Sequence, residues 1–314
     1  MSLDVIHARY GDILESPVEH NGIYPFSDDT QMTILTAIGL SETGPMDDNI
    51  WALYRRWAEF QRRGGKLSDG DHWVFSYSSM RDHRAPGNTC MTAILGNRTA
   101  GTIEHPINDS KGCGGIMRVS SVPIWAVAED RGSLESAMTA ARIAAYTHGH
   151  PMGYVTAGFL SSMLFHIFEG AALRESIRIA REDCEQCFGD LDLSEMTDII
   201  GKAESLADSE ASDQDGMAEI GEGWVAEETL AMALFSCLRH PDSIRDAIVC
   251  AVNVTGDSDS IGAVTGNIMG ALLGSDVLMR EFDVGKLEDE AMIRRASELL
   301  CADKRRVPNG WNII

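Results

Sequence analysis

The sequence predicts an all-α protein. Apolar residues recur at helical spacing in nearly every periodic segment, and short turns that favour β-hairpins are few. Several segments are rich in small residues and apolar on all sides, which is typical of helices buried in the centre of a domain. No linker, low-complexity segment or solenoid repeat interrupts the chain. We therefore expect a single compact multi-helix domain over residues 1–314.

The composition excludes several classes of protein. The 314 residues have a net charge of −22, from 48 acidic and 26 basic side chains, which argues against general nucleic-acid or membrane-surface binding. No apolar stretch reaches the roughly 18 residues of a membrane helix, and the first residues lack the pattern of a signal peptide. The seven cysteines lack disulfide-framework spacing, which favours reduced thiols and a cytoplasmic protein. The lone C-x-x-C at Cys184 and Cys187 does not predict zinc, because no second pair follows.

The first half of the chain contains five strong helical patterns. They span residues 29–40, 49–63, 89–95, 116–128 and 134–146. An aromatic stripe faces one side of the second pattern, and Gly64 ends it. We expect a kink at Pro123 and a short N-terminal helix, within 4–21, that breaks at Pro17. Residues 72–77 have local strand character but no pairing partner, so we predict a loop or one helical turn.

The second half continues the helical series. The predicted helices span residues 152–168, 172–188, 193–207, 226–238, 243–252, 259–274 and 288–299. Residues 209–223 between them are acidic, polar and contain glycine, so we expect a mobile loop there.

Two predicted helix starts are unusually rich in carboxylates and hydroxyls. The candidate metal ligands at these starts are Ser27, Asp28, Asp29, Asp257, Asp259 and Ser260. Either start alone is explained by helix capping, in which such side chains bind free backbone N–H groups. Two starts of the same chemistry, with oxygen donors and no adjacent His or Cys, instead favour Mg²⁺, Mn²⁺ or Ca²⁺ over zinc. We expect the two starts to meet and to hold two ions, which can activate a water or a hydroxyl group.

A phosphatase is the alternative for the second start. An apolar run followed by Asp257 and Asp259 is similar to the nucleophilic aspartate loop of haloacid-dehalogenase phosphatases. That fold needs parallel strands and further motifs downstream, whereas a short helical tail follows here. The helical pattern therefore disfavours this alternative.

Three further motifs are candidates for ligand contact. The glycine loop at 111–118 precedes a predicted helix, where backbone N–H groups can receive a phosphate and Arg118 can add positive charge. His148 and His150 end a helix, either as part of a helix stop or as ligand contacts. The segment 223–228 is either a capping motif with a buried Trp224 or the rim of a binding site.

Taken in order, the motifs resemble the ADP-ribosylglycohydrolase family. The matching segments are Gly11 and Asp12 with 17–19, then 27–32, 84–87, 112–118, 147–151, 223–228 and 256–262. The resemblance implies an all-α fold around a binuclear Mg²⁺ centre, sometimes Mn²⁺, with the six candidate ligands named above. It also implies that Glu19 is a mobile active-site carboxylate. The residues that it places along the diphosphate, the ribose and the ligand side are Gly112, Gly114, Gly115, Met117 and His148.

Some residues depart from the family pattern. Serine stands at positions 27 and 260 where threonine is usual, and each keeps the hydroxyl group. Glu15 follows the first motif where glycine is usual, and Cys113 lies in the loop where polar residues occur in other branches.

The resemblance implies hydrolysis at ribose C1″ of an ADP-ribosylated protein or of O-acetyl-ADP-ribose, which releases ADP-ribose. Glu19 or Asp259 would handle the proton, provided that it lies within hydrogen-bond reach of the attacking water. The alternative is a non-catalytic, metal-dependent binder of ADP-ribose or a nucleotide, since some relatives, including a lens crystallin, have lost or changed activity. The acceptor stays open between arginine, serine, acetyl and nucleic-acid linkages, although the acidic composition disfavours the last.

Overall fold

A computed structural model describes residues 2–11 and 13–301 of the chain. The described residues form fifteen α-helices and four short 3₁₀ helices, with isolated β-bridges but no strand, which confirms the all-α prediction. Asp12, from the first motif of the resemblance, and residues 302–314 of the predicted domain lie outside the described residues.

The α-helices follow one another along the whole described chain. They are α1 (Leu3–Tyr10), α2 (Asp28–Ser41), α3 (Met46–Arg63), α4 (Asn88–Gly96), α5 (Ser121–Ala128), α6 (Ser133–Ala145), α7 (Pro151–Phe168), α8 (Leu173–Phe188), α9 (Ser194–Ala207), α10 (Asp213–Ile220), α11 (Ala226–Arg239), α12 (Ile244–Val252), α13 (Ser258–Leu273), α14 (Ser275–Glu281) and α15 (Glu290–Cys301).

Helix α7 forms the centre of the core, as its uniformly apolar sequence predicts. It is buried on nearly all sides and packs against α5, α6, α8 and α11. Small residues permit the close approach to α6: a Cβ atom on Gly158 would lie 3.1 Å from the carbonyl oxygen of Ala137. Buried alanines on α6 complete this contact. Sequence composition thus sets the distance between the two helices.

Buried hydrogen bonds hold helix α2 in place. Gln31 is fully buried, and its amide nitrogen donates to the carbonyl of Ser79 at 2.5 Å. Its amide oxygen accepts from the indole N–H of Trp57 at 2.7 Å. Because buried polar groups are costly to leave unpaired, this network fixes the position of the helix that starts at Asp28.

The structure corrects the interpretation of two turns near the ends of helices. The N-terminal helix ends at Tyr10 rather than at Pro17, because Gly11 takes a left-handed φ of 95° that L-residues disfavour. Residues 116–128 do not kink at Pro123. A 3₁₀ helix at Ile116–Arg118 ends first, and Pro123 then falls in the first turn of α5, where its missing N–H leaves no hydrogen bond broken.

The structure also corrects the segment 209–223, because α10 occupies most of it. The hydroxyl of Ser212 accepts from the backbone N–H of Asp215 at 3.1 Å, which gives α10 a proper N-cap. A further helix, α14, was not predicted and begins directly after Gly274. Residues 73–76 form one 3₁₀ turn, as expected from the lack of a pairing strand.

Across residues 2–11 and 13–301, no individual helix is long and apolar enough to cross a membrane. By length and composition alone, one joined pair passes the same test, Ser258–Leu273 with Ser275–Glu281, but its two helices are bent by 119°.

Candidate metal centre

The start of α2 contains two buried carboxylates that do not cap the helix. Ser27 is extended, and its hydroxyl donates to Oδ2 of Asp29 at 2.9 Å instead of accepting a backbone N–H. Asp28 and Asp29 are only 5% and 2% exposed. A carboxylate at a solvated helix cap has no need of such burial, so capping does not account for this start.

The start of α13 depends on a glycine that no other residue can replace without strain. Gly256 has φ of 124°, and a Cβ atom there would lie 1.9 Å from the carbonyl oxygen of Glu222. The same carbonyl accepts the backbone N–H of Asp257 at 2.9 Å. The side chain of Asp257 makes no capping hydrogen bond. The segment around Glu222 therefore sets where Asp257 lies.

The two helix starts meet in space although more than 200 residues of chain separate them. Carboxylate oxygens of Asp28, Asp29 and Asp259 all lie within 4.8 Å of one another. Asp28 and Asp29 are buried, whereas Asp259 is exposed to solvent. Asp257 lies close enough to Asp28 to raise its pKa. Ser260 is buried and lies close enough to Asp29 for its hydroxyl to lower the pKa of that carboxyl.

In the protein without metal, burial and mutual repulsion favour the protonated forms of Asp28, Asp29 and Asp257. Burial, then the charges of Asp259 and Asp257, raise the pKa of Asp28 to about 7. Burial and the charges of Asp259 and Asp28 raise the pKa of Asp29 as well. Burial, with Asp259 as a further cause, raises the pKa of Asp257 to about 6. A bound cation would reverse each of these effects.

One oxygen at the centre lacks any partner. Oδ1 of Asp29 is buried and accepts no hydrogen bond. Among the described residues, no lysine or arginine forms an ion pair with the four carboxylates. A buried, unpaired carboxylate oxygen is costly unless a cation meets it, so the donor set fits one or more divalent ions with a preference for oxygen.

Cys113 contacts the centre directly, which sequence reasoning did not identify. Its thiol donates to Oδ2 of Asp257 at 2.6 Å. Burial and the adjacent Asp257 raise the pKa of this thiol well above its usual range. The only signal in the sequence was its position between Gly112 and Gly114.

The glycine loop is a fixed, tightly packed segment and not a flexible turn. The backbone N–H of Cys113 donates to the carbonyl of Trp224 at 3.2 Å, and that of Ala226 donates to Lys111 at 2.8 Å. A Cβ atom on Gly114 would lie 2.7 Å from Sγ of Cys90. One on Gly115 would lie 2.7 Å from a carbonyl oxygen of α7. Packing thus accounts for these two glycines.

His148 faces the glycine loop as a neutral side chain. Burial and the charge of Arg118 lower its pKa to about 3. Nδ1 lies 2.8 Å from the hydroxyl of Thr147, and Nε2 lies 3.4 Å from where a Cβ atom on Gly112 would be. His150 differs, because its Nδ1 accepts from the backbone N–H of Met152 at 3.1 Å and caps α7.

Two sequence-based expectations for charged and aromatic side chains were wrong. Arg118 cannot add charge to a phosphate in the loop, because it is fully buried and donates to the carbonyl of Ile143 at 2.9 Å and to Thr147 at 2.7 Å. Of the two alternatives for the segment 223–228, the one with a buried Trp224 is wrong, because this side chain is 52% exposed, with its indole N–H on Glu222. Trp224 therefore lies on the surface beside the glycine loop.

Met117 and Glu19 lie in contrasting places. Met117 is buried between the helix starts: its carbonyl accepts from Thr33 at 3.3 Å, and its sulfur lies 3.9 Å from the hydroxyl of Ser260. Glu19 lies on the irregular segment between α1 and α2, where its exposed carboxylate pairs with Lys286 at 2.8 Å. The ion pair of Glu19 thus links it to the segment before α15 and not to the four aspartates.

Comparisons with known proteins agree with this arrangement of helices. A sequence profile of the ADP-ribosylglycohydrolase family matches residues 1–308. A solved structure described as an ADP-ribosylglycohydrolase-related protein complex superposes with a TM-score of 0.59 at 20% identity, covering 88% of this chain and 80% of that one. No curated protein matches the sequence.

The structural likeness supports the fold, and the profile extends over nearly the whole sequence. The resemblance noted from the motifs is therefore confirmed, and family membership supports a hydrolase of ADP-ribosyl linkages. The chain belongs to the ADP-ribosylglycohydrolase family.

Proposed function

We propose that this protein is a Mg²⁺-dependent hydrolase that cleaves the bond at ribose C1″ of ADP-ribosylated substrates and releases ADP-ribose. Family membership supports the reaction class. The observation on which the metal dependence rests is the convergence of Asp28, Asp29 and Asp259, with a buried and unpaired oxygen on Asp29. That arrangement is expensive for the protein alone and favourable around divalent cations.

The ligand set suits two ions with oxygen coordination, Mg²⁺ or Mn²⁺. Its proposed members are Ser27, Asp28, Asp29, Asp257, Asp259 and Ser260. When bound, such ions supply Lewis-acid activation of ribose hydroxyls and of water. The buried aspartates would hold the centre rigidly, because α2 is fixed by its core network and α13 by the contact between Gly256 and Glu222.

Asp259 is the first candidate for moving the proton. Its carboxylate is exposed to solvent while its neighbours Asp28 and Asp29 are buried, so an attacking water can reach it. It would accept the proton of that water as the bond to the leaving group breaks at C1″. Glu19 is the second candidate, and it would first have to leave its ion pair with Lys286.

The glycine loop and His148 would bind the ADP-ribose part of the substrate. We place Gly112, Gly114 and Gly115 along the diphosphate on the family resemblance, because packing against Cys90 and α7 already accounts for the missing side chains of Gly114 and Gly115. His148 is neutral at physiological pH, so it would form a hydrogen bond with the ligand and add no charge. Met117, near the end of the loop, would hold it against α2 and α13, since it is buried and contacts Thr33 and Ser260.

The proposed substrates carry ADP-ribose on a protein or on a small molecule such as O-acetyl-ADP-ribose. The net charge of −22 gives no support for general nucleic-acid binding. The cytoplasmic location stays a prediction.

A non-catalytic binder of ADP-ribose is the second candidate function. The observation that favours it is the thiol of Cys113, which occupies Oδ2 of Asp257 at 2.6 Å. If that bond persists, Asp257 has one oxygen fewer for an ion, which would lower the occupancy of the centre.

The two candidates differ in a single assay. Purified protein would be incubated with arginine-ADP-ribosylated protein and with O-acetyl-ADP-ribose, each with Mg²⁺ or with a chelator, and free ADP-ribose measured. We expect Mg²⁺-dependent release from at least one substrate. Binding of ADP-ribose by calorimetry without release from either would instead support the non-catalytic candidate.

A further inference from the structure

A second group of metal-ligating side chains lies away from the four aspartates. It consists of Asp213 at the start of α10, His240 directly after α11, and Cys250 on α12. One ligand atom from each residue lies within 4.8 Å of the other two. The group therefore brings together residues from α10, α12 and the end of α11.

The donor atoms are of the types that zinc binds in proteins. Nε2 of His240 lies 2.7 Å from Oδ2 of Asp213, and the sulfur of Cys250 lies beneath them. Imidazole, carboxylate and thiolate are all zinc ligands, and a mixed set of three with water is a known four-coordinate arrangement. Cys250 is buried, whereas the side chains of Asp213 and His240 are 33% and 28% exposed, so an ion can enter from their side.

Neighbouring groups orient the donor atoms of Asp213 and Cys250. Arg239 binds the other oxygen of Asp213, Oδ1, at 3.3 Å and is itself held by the carbonyl of Ser209 at 2.9 Å. The hydroxyl of Ser236 donates to the sulfur of Cys250 at 3.4 Å. Such secondary contacts are typical of metal ligands because they fix the angle of each donor. The charge of Arg239 opposes a cation, but Arg239 bonds to Oδ1, whereas the oxygen that faces His240 is Oδ2.

In the protein without metal, the thiol of Cys250 stays protonated at neutral pH. Burial is the main cause that raises the pKa of Cys250 to about 12, and Asp213 adds to it. A cation at the group would stabilise the thiolate, and binding would release the thiol proton to the buffer. The imidazole and thiolate donors favour a metal that binds sulfur over Mg²⁺.

We propose that Asp213, His240 and Cys250 bind one Zn²⁺ ion, with water as the fourth ligand. The ion would stabilise the region that positions Asp257. Helix α10 ends just before Glu222, whose carbonyl accepts from Asp257, and α12 ends just before the segment that leads to Asp257. This site is independent of the proposed hydrolysis, so either can be correct without the other.

The test is a Co²⁺ titration of the metal-free full-length protein in excess Mg²⁺. Co²⁺ replaces Zn²⁺ in such sites, and a thiolate ligand gives a charge-transfer band in the near ultraviolet that oxygen ligands do not give. We expect this band to saturate at one Co²⁺ per chain and to disappear when Zn²⁺ is added. Absence of the band at saturating Co²⁺ would overturn the proposal.

Three variants locate the band. Cys250→Ser and His240→Gln should each abolish it, and His240→Gln alters a partly exposed side chain, so it tests the site even if Cys250→Ser does not fold. Cys113→Ser is the matched control, since Cys113 is the cysteine that contacts the other acidic centre, and it should keep the band. A band that survives in Cys250→Ser, or is lost in Cys113→Ser, would place the thiolate elsewhere and contradict the assignment.

Discussion

Asp29 could be explained from the sequence as part of a helix cap, whereas the structure makes it a candidate metal ligand. In the sequence it is an acidic residue in the first turn of a helix, where the helix dipole alone favours it. In the structure it is buried, has one unpaired oxygen and lies beside the carboxylates of Asp28 and Asp259. Burying these carboxylates without a partner destabilises the folded protein. A divalent cation would offset that loss, and the oxygen donors suit one.

Removing one of these charges should abolish activity without unfolding the protein. In Asp28→Asn and Asp257→Asn we expect turnover to fall by more than about 100-fold, because even groups that only orient metal ligands contribute 10–100-fold. Stability without metal should hold or rise, since the amide removes repulsion among buried carboxylates whose pKa values are raised. Steady-state release of ADP-ribose and thermal unfolding measure the two effects.

The control for this prediction is Asp276→Asn. Asp276 also lies in the first turn of a helix, α14, but it is exposed. We expect normal turnover in this variant. Comparable activity in Asp28→Asn and Asp276→Asn would refute the role of the buried aspartates.

Metal affinity should depend on pH in a defined direction. The pKa of Asp28 is raised to about 7 and that of Asp257 to about 6, so protons compete with the cation below these values. Affinity for Mg²⁺ should therefore rise as pH increases from about 5 to 8, by up to about tenfold per unit for each proton displaced. Calorimetric titration at several pH values measures it, and a flat profile would count against these carboxylates as ligands.

The raised pKa values also determine how the stability of the metal-free protein changes with pH. A carboxyl whose pKa is higher in the folded state stabilises the fold at low pH, and this contribution is lost as pH rises through the folded value. The contribution of Asp28 should thus decline between about pH 4 and 7. Denaturant unfolding of the metal-free protein and of Asp28→Asn across this range isolates it, because the variant lacks the titrating group.

At the scale of elements, the contact between α12, α13 and the segment before α11 controls the site. Gly256 has φ of 124° and lies against the carbonyl of Glu222, which also accepts from Asp257. Gly256→Ala should cost about 1–3 kcal/mol or more in unfolding free energy and should displace Asp257. We expect metal affinity to fall with stability, as measured by chemical denaturation and calorimetry.

Gly270→Ala on the same helix is the matched control. A Cβ atom there meets nothing within 4 Å, and the residue lies within α13. Alanine should raise stability by about 0.5–1 kcal/mol, since it lowers the entropy of the unfolded chain and favours the helix. If both alanine variants behaved alike, the close approach at Gly256 would not be the cause.

Helices were predictable where apolar periodicity was strong, and less so where local contacts decide. The core helices α7 and α11 follow from their sequences, since almost every face is apolar or small. Helix α10 was missed because acidic residues and Gly216 indicate a loop, whereas the cap by Ser212 and packing of Met217 stabilise a helix. Long-range packing, which overrides local preference there, is not visible in a single sequence.

Within the site, residue types were predictable but contacts were not. Oxygen donors at two helix starts indicated metal, yet the bond between Cys113 and Asp257 joins residues 144 positions apart. The opposite error occurred at Arg118, whose position after a glycine loop indicated anion binding. The carbonyls at the end of α6, which it binds instead, are brought to it only by the fold.

For the whole molecule, the acidic composition and the metal centre are linked. A chain with net charge −22 must attract an anionic substrate through local positive charge, and Arg118, the arginine nearest the glycine loop, is buried in the core. Bound divalent cations, with the N-termini of α2 and α13 behind them, would supply this charge. The organisation of residues 1–314 as one domain stays a prediction.

A Mn²⁺ titration followed by electron paramagnetic resonance tests the central claim that two distant helix starts form one metal centre. Free Mn²⁺ gives a sharp signal that is lost on binding, so the stoichiometry is read directly. We predict two bound Mn²⁺ ions per chain, displaced by Mg²⁺, with binding weakened both by Asp28→Asn on α2 and by Asp257→Asn before α13. Absence of binding, or binding that neither substitution affects, would contradict the account.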